Sequence, residues 1–138
     1  MSIQSTVDID YIGTLSPRNV LKYLLDTGWH HIMENKVMYL NPGDQGAYDW
    51  QLVSADEFDI NDFVSQHSEE CPVGISLVRD HDIGGDFLIR PKDLTISVVI
   101  NRQYLPNSRL VDFSWYLNKL HPFMERIGVH SFKCEQIS

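Results

Sequence analysis

The sequence is short of the features that announce chemistry. Its two cysteines, Cys71 and Cys134, lack Cys-x-x-Cys spacing and are too few for a disulfide framework, which leaves two reduced thiols in a core or a strand, or a single bridge, open. G-x-S-x-G, G-x-x-x-x-G-K-[ST] and G-x-G-x-x-G are all missing, which removes a serine-nucleophile elbow and the glycine-rich phosphate cradles. No apolar run approaches a membrane span, and the first residues carry neither the basic nor the apolar region of a secretory signal. A cytoplasmic chain without a membrane partner is expected. Six prolines and eight glycines are too few for a collagenous or low-complexity chain, and 43% hydrophobic residues suffice for a core. At 138 residues, one domain spanning positions 1–138 is expected.

The most informative shortage is of cations. Between Val37 and Val78 there is no Lys or Arg, while Asp44, Asp49, Asp56, Glu57, Asp59, Asp62, Glu69 and Glu70 supply eight negative charges. Outside that stretch eleven acids balance eleven bases, so the net charge of −8 lies wholly within it. Such a field repels phosphate backbones, which argues against nucleic acid as a partner, and attracts basic proteins.

Helical and strand periods then order the chain. Thr6 to Ile9 reads as a first strand. Ser16-Pro17 is a helix start, with Pro at the position that needs no N–H; Val20, Leu21, Leu24 and Leu25 form one apolar stripe, and Gly28 followed by Trp29 predicts a Schellman ending. Trp29–Met33 and Val37–Leu40 read as a hairpin about Glu34-Asn35-Lys36, and Tyr48–Val53 as a half-buried strand with Tyr48, Trp50 and Leu52 on one face. A helix is expected over Asp56–Gln66, where early acids suit the macrodipole. Val73–Val78 and Phe87–Ile89 predict a second hairpin with Gly84-Gly85 at its turn, and Leu94–Ile100 a strand buried on both faces. Leu110, Phe113, Leu117, Leu120, Met124 and Ile127 form a helical stripe that Pro122 should kink, with His121 capping the second part; His130–Ile137 closes the chain as a strand. The expected order is β-α-β-β-β-α-β-β-β-α-β, an α+β domain with a mostly antiparallel sheet and about three helices. A helix followed by three strands occurs twice in it, which suggests a pseudo-repeat.

Three chemical sites are conceivable. Asp80-His81-Asp82-Ile83-Gly84-Gly85-Asp86 matches a calcium loop at its first, third and sixth positions, but has Gly84 at the fifth and Pro91 at the twelfth. Among the six histidines, adjacent His30 and His31 point to opposite faces of a strand, which leaves only an assembly of distant members such as His67, His81, His121 and His130 for zinc. Asp26, Glu34 and Lys36 have the residue types of a metal nuclease, against the sign of the overall charge. Ordinary turns and packed or exposed histidines account for most of this, so no metal and no cofactor is expected.

The composition therefore favours a non-enzymatic acidic protein that binds a basic protein partner. An inhibitor of the immunity or antitoxin type, neutralising a cationic toxin domain such as a nuclease, meets these physical demands. The eight acids would steer association, and Tyr48 and Trp50 would anchor it. The alternatives are a small metal-dependent hydrolase using Asp80, Asp82 and Asp86, and a self-associating structural or phage-type protein whose exposed edge strand makes it a dimer.

Overall fold

The computed structural model describes residues 2–44 and 46–138. Seven strands form one antiparallel sheet: β1 (Gln4–Tyr11), β2 (Lys36–Tyr39), β3 (Gln51–Ser54), β4 (Val73–Val78), β5 (Gly84–Ile89), β6 (Asp93–Ile100) and β7 (Val129–Ile137). Their order across the sheet is β3-β2-β4-β5-β6-β1-β7. Helices α1 (Pro17–Asp26), α2 (Ile60–Ser65) and α3 (Phe113–Ile127) complete an α+β architecture. None is long and apolar enough to cross a membrane.

Period-two alternation decides the two faces of the sheet. Val7 and Ile9 of β1, Leu94 and Ile96 of β6, Phe87 and Ile89 of β5, and Ile75 and Leu77 of β4 are fully buried, and they join Leu21, Leu24, Leu120 and Phe123 of the helices in one core. The registers Val7↔Ile96, Phe87↔Ile96 and Ile75↔Phe87 align these positions across four strands. Among the described residues the opposite face carries no helix. It is polar along β1, β5 and β6, where Arg90 donates to Asp93 and Thr95, and Thr95 donates to Asp8.

The first helix follows its sequence signals closely. Pro17 occupies the first turn, Gly28 adopts φ 105°, and the N–H groups of Trp29 and Gly28 donate to the carbonyls of Leu24 and Leu25, the two bonds of a Schellman ending. Ser16 makes no side-chain cap. The ending delivers the Trp29 side chain into the core, edge-on to Phe87.

Several expectations are corrected. Trp29–Met33 is not a full strand: His30 exchanges two bonds with Val78, and Met33 with Lys36, across a tight turn in which Glu34 and Asn35 both have φ near 50–60°. Between the Trp29 insertion and that type I′ turn too few residues remain for a ladder, which also removes the pseudo-repeat. Gly84 and Gly85 are not turn residues but open β5. A Cβ on Gly84 would strike the Leu77 carbonyl, and one on Gly85 the Ser97 carbonyl, so the glycines permit close backbone approach at a bulge, while His81 and Asp82 take the turn's positive φ. β6 is buried on one face only, and the strand covered on both is β4. α3 begins at Phe113, leaving Leu110 exposed outside it, and runs unbroken through Pro122. Pro122 and Asn118 both lie on its exposed side, so water can take up the Asn118 carbonyl that Pro122 cannot serve. His121 is no cap but sits mid-helix, 3.3 Å from Glu125.

Candidate functional site

The acidic segment folds into the β3–β2–α2 end of the molecule, over an aromatic cluster. Tyr39 of β2 packs at 5.1 Å from Phe58 and 5.5 Å from Phe63, and Phe63 packs at 4.6 Å from His67. This cluster fixes α2 and the 3₁₀ turn Ala55–Glu57 against the sheet, so their carboxylates stand on a rigid base. Burial lowers the pKa of His67, against the opposing effect of its hydrogen bond to the Phe63 carbonyl, so the ring is neutral with Nδ1 donating. Its Nε2 is buried without a partner.

The eight acids fall into two groups. Asp44 accepts from the N–H groups of Tyr48 (2.7 Å) and Asp49 (3.1 Å), and Asp59 caps α2 by accepting from Asn61 and Asp62. Glu69 pairs with Arg18 at 3.1 Å, and Arg18 also donates to the His67 carbonyl. These three acids have structural work. Asp49, Asp56, Glu57, Asp62 and Glu70 are exposed, and among the described residues their carboxylates meet neither a cation nor a hydrogen-bond donor. Glu57, Asp59 and Asp62 line a common notch of about 210 Å³ beside Tyr39 and Phe58.

Five of the eleven bases are engaged elsewhere, while Lys36 stands opposite Ser54 at this end of the sheet and makes no ion pair among the described residues. Arg90 pairs with Asp93, Arg126 lies 3.7 Å from Asp26 and stacks over Tyr23, Arg79 covers Trp29, Lys119 covers Trp115, and Lys133 pairs with Glu135. Arg18 alone makes an ion pair with this segment among the described residues.

The two expected aromatic anchors are placed differently from a strand's alternation. The Asp44 cap holds Tyr48 at φ 54°, so β3 starts only at Gln51; Leu52 points to the helix-free face at 59% exposure, and Val53, not Leu52, packs on the core. Tyr48 is 52% exposed and, with Asp44, Arg90, Gly74 and Leu88, borders a recess of about 350 Å³. Trp50 is half-buried beside it in sequence but borders none of these recesses.

A site that sequence reasoning missed lies on the helix-free face. Met33, Met38, Leu52, Val78 and Val99 wall a cleft of about 190 Å³ with Asp86, Ser76, His31 and Lys36 among its lining. Ser76 donates to the Asp86 carboxylate at 2.7 Å, and no cation pairs with it among the described residues. Only the register Ser76↔Asp86 reveals this pair, because sequence alone grouped Asp86 with Asp80 and Asp82.

The other candidate chemistries do not assemble. Among the described residues no three His, Cys, Asp or Glu side chains converge on a position that could hold a metal ion. Asp80 and Asp82 belong to the 3₁₀ turn while Asp86 is four residues further along, in β5. Asp26 pairs with Arg126, away from the turn containing Glu34. Both cysteines are free thiols. No family model matches the chain, and no match was found among curated proteins or solved structures.

Proposed function

We propose that the acidic end of this domain binds a basic protein, in the manner of an immunity or antitoxin-type inhibitor facing a cationic toxin. The reading rests on one observation: among the described residues, seven of the eight acids between Val37 and Val78 have no ion-pair partner. An uncompensated field of one sign accelerates encounter with the opposite sign and sets orientation more than final affinity. The cleft that Lys36 and Asp86 both line supplies an anchor, since Asp86 accepts from Ser76 and pairs with no cation among the described residues. A Lys or Arg from the partner can lay its aliphatic stem between Met38, Leu52 and Val99 and bring its charge to Asp86. The arrangement needs no metal and no cofactor.

The experiment uses acids without structural work. A variant carrying Asp56→Asn, Glu57→Gln, Asp62→Asn and Glu70→Gln is compared with the parent for association with proteins retained from host extract. Association should slow by about tenfold or more and lose much of its salt dependence. Asp86→Asn, which keeps an acceptor for Ser76, should instead speed dissociation. A retained partner whose binding ignores both salt and the four neutralisations would end this reading.

A further inference from the structure

We propose that two copies of this chain pair antiparallel through β7, with Cys134 facing Cys134 at a twofold axis, to make one continuous fourteen-stranded sheet. This inference is independent of the acidic site, which lies at the opposite end of the strand order.

β7 is an edge strand nine residues long, paired on one side with β1 and with no strand on its other side among the described residues. It contains neither Pro nor Gly, so every outward N–H and C=O is available for pairing. The register with β1 fixes its faces: Phe132, Cys134 and Gln136 lie opposite Ile9, Val7 and Ser5 on the helix side, while Lys133 and Glu135 lie opposite Asp8 and Thr6 on the helix-free side.

A twofold axis perpendicular to the sheet keeps both sets of helices on one side and places one residue opposite its own copy. Charge selects which. Centred on Cys134, Lys133 of each copy stands opposite Glu135 of the other, twice over, and the existing Lys133–Glu135 contact of 3.7 Å in each chain becomes part of an alternating group of four charges. Centring on residue 133 or 135 instead sets Lys against Lys or Glu against Glu. The strand is therefore complementary to itself in one register.

Apolar surface agrees with this occupant. Phe132 is 52% exposed at a groove of about 660 Å³ walled by Leu117, His121 and Met124 of α3. The chosen register brings Phe132 beside Gln136 of the second copy. Gln136 is held by the loop before α3, accepting from Val111 and donating to the Arg109 carbonyl, and exposed Leu110 lies on that loop. The other edge, β3, has only four residues and acidic flanks, so it does not compete.

Light scattering during size exclusion tests the proposal on the intact chain, with circular dichroism to verify folding. The parent should have the mass of two chains. Lys133→Glu and Glu135→Lys should each raise the dimer dissociation constant at least about tenfold, since two attractive contacts become repulsive. An equimolar mixture of these two variants should recover the two-chain mass, because their edges complement each other, and so should the double exchange Lys133→Glu with Glu135→Lys. A parent that stays a single chain near ~1 mM, the weak end of specific affinity, overturns the proposal. A dimer indifferent to either exchange, or variants that fail to recover on mixing, overturns it equally.

Discussion

At one edge of the sheet a four-residue strand sits among carboxylates that meet no cation; at the other, a nine-residue strand carries one Lys and one Glu that already touch. Both are ends of the same antiparallel stack, yet they present different information to a partner. The β3 edge is short, and Asp49, Asp56 and Glu57 surround it with charge, so backbone pairing there brings like charges together and only a cationic surface relieves them. The β7 edge offers backbone groups over its full length and a charge order, Lys133 then Glu135, that is complementary to its own reverse about Cys134. A field without internal balance selects a different molecule, whereas a balanced, self-complementary edge selects itself.

The comparison requires a rigid frame between the edges, and the severest way to break it is at the centre of the sheet. Gly85→Ala puts a Cβ into the Ser97 carbonyl, which is backbone and cannot swing away. The expected cost is about 3 kcal/mol or more, at the upper end for overpacking, measured by urea denaturation. Self-pairing and partner binding should then fail together. If Gly85→Ala removed one and spared the other, the edges would not share this frame. Within an intact frame they should separate: the four acid neutralisations leave the two-chain mass unchanged, and Lys133→Glu leaves association with a basic partner unchanged.

Acidification should act on one edge only. Burial lowers the pKa of His67, which belongs to the aromatic cluster beneath the acids, while its Nδ1 is committed to Phe63 and its buried Nε2 has no acceptor for a new proton. Burial and the neighbouring His30 also lower the pKa of His31, which packs on Phe58 of the same cluster. For a histidine whose folded pKa lies below its unfolded value, the open state binds the proton. Stability is complete above about pH 6.5 and is lost as pH falls through the folded pKa, by at most ~1.4 kcal/mol per pH unit for each proton. Hydrogen exchange at pH 5.5 against 7.5 should show α2 amides losing protection while β7 amides keep theirs, and His67→Gln should reduce the difference. Equal loss at both edges would contradict a local origin.

Much of this frame was legible because local signals and tertiary packing agree. Ser16-Pro17 and Gly28-Trp29 bracket α1, and the β-branched run at Ile96–Ile100 gives β6. Legibility failed where one residue type serves two purposes. Glycine at 84 and 85 reads as a turn, but close backbone contact within the sheet claims it; Leu52 reads as buried, but the Asp44 cap delays the strand and turns it outward. The acidic segment was visible as a charge imbalance. Which of its members are free to act was not, since Asp44, Asp59 and Glu69 are distinguished from their neighbours only by Tyr48, Asn61 and Arg18 in space. The Asp86 cleft was invisible for the same reason: Ser76 is ten residues away and meets it only through the β4–β5 register.

The smallest effect sharpens the distinction between acids that steer and acids that hold. Arg18 reaches two acceptors, the Glu69 carboxylate at 3.1 Å and the His67 carbonyl at 2.9 Å, and the Glu69 side chain is 74% exposed. An exposed pair of this kind contributes less than about 1 kcal/mol, because water screens it and two long side chains must be held still. Glu69→Gln should therefore shift the urea midpoint only slightly, and less than Arg18→Ala, which also strips the partly buried carbonyl of its donor. If Glu69→Gln proved the more damaging of the two, the ion pair and not the carbonyl contact would tie α1 to the end of α2, and the acidic end would depend on the single cation it has acquired.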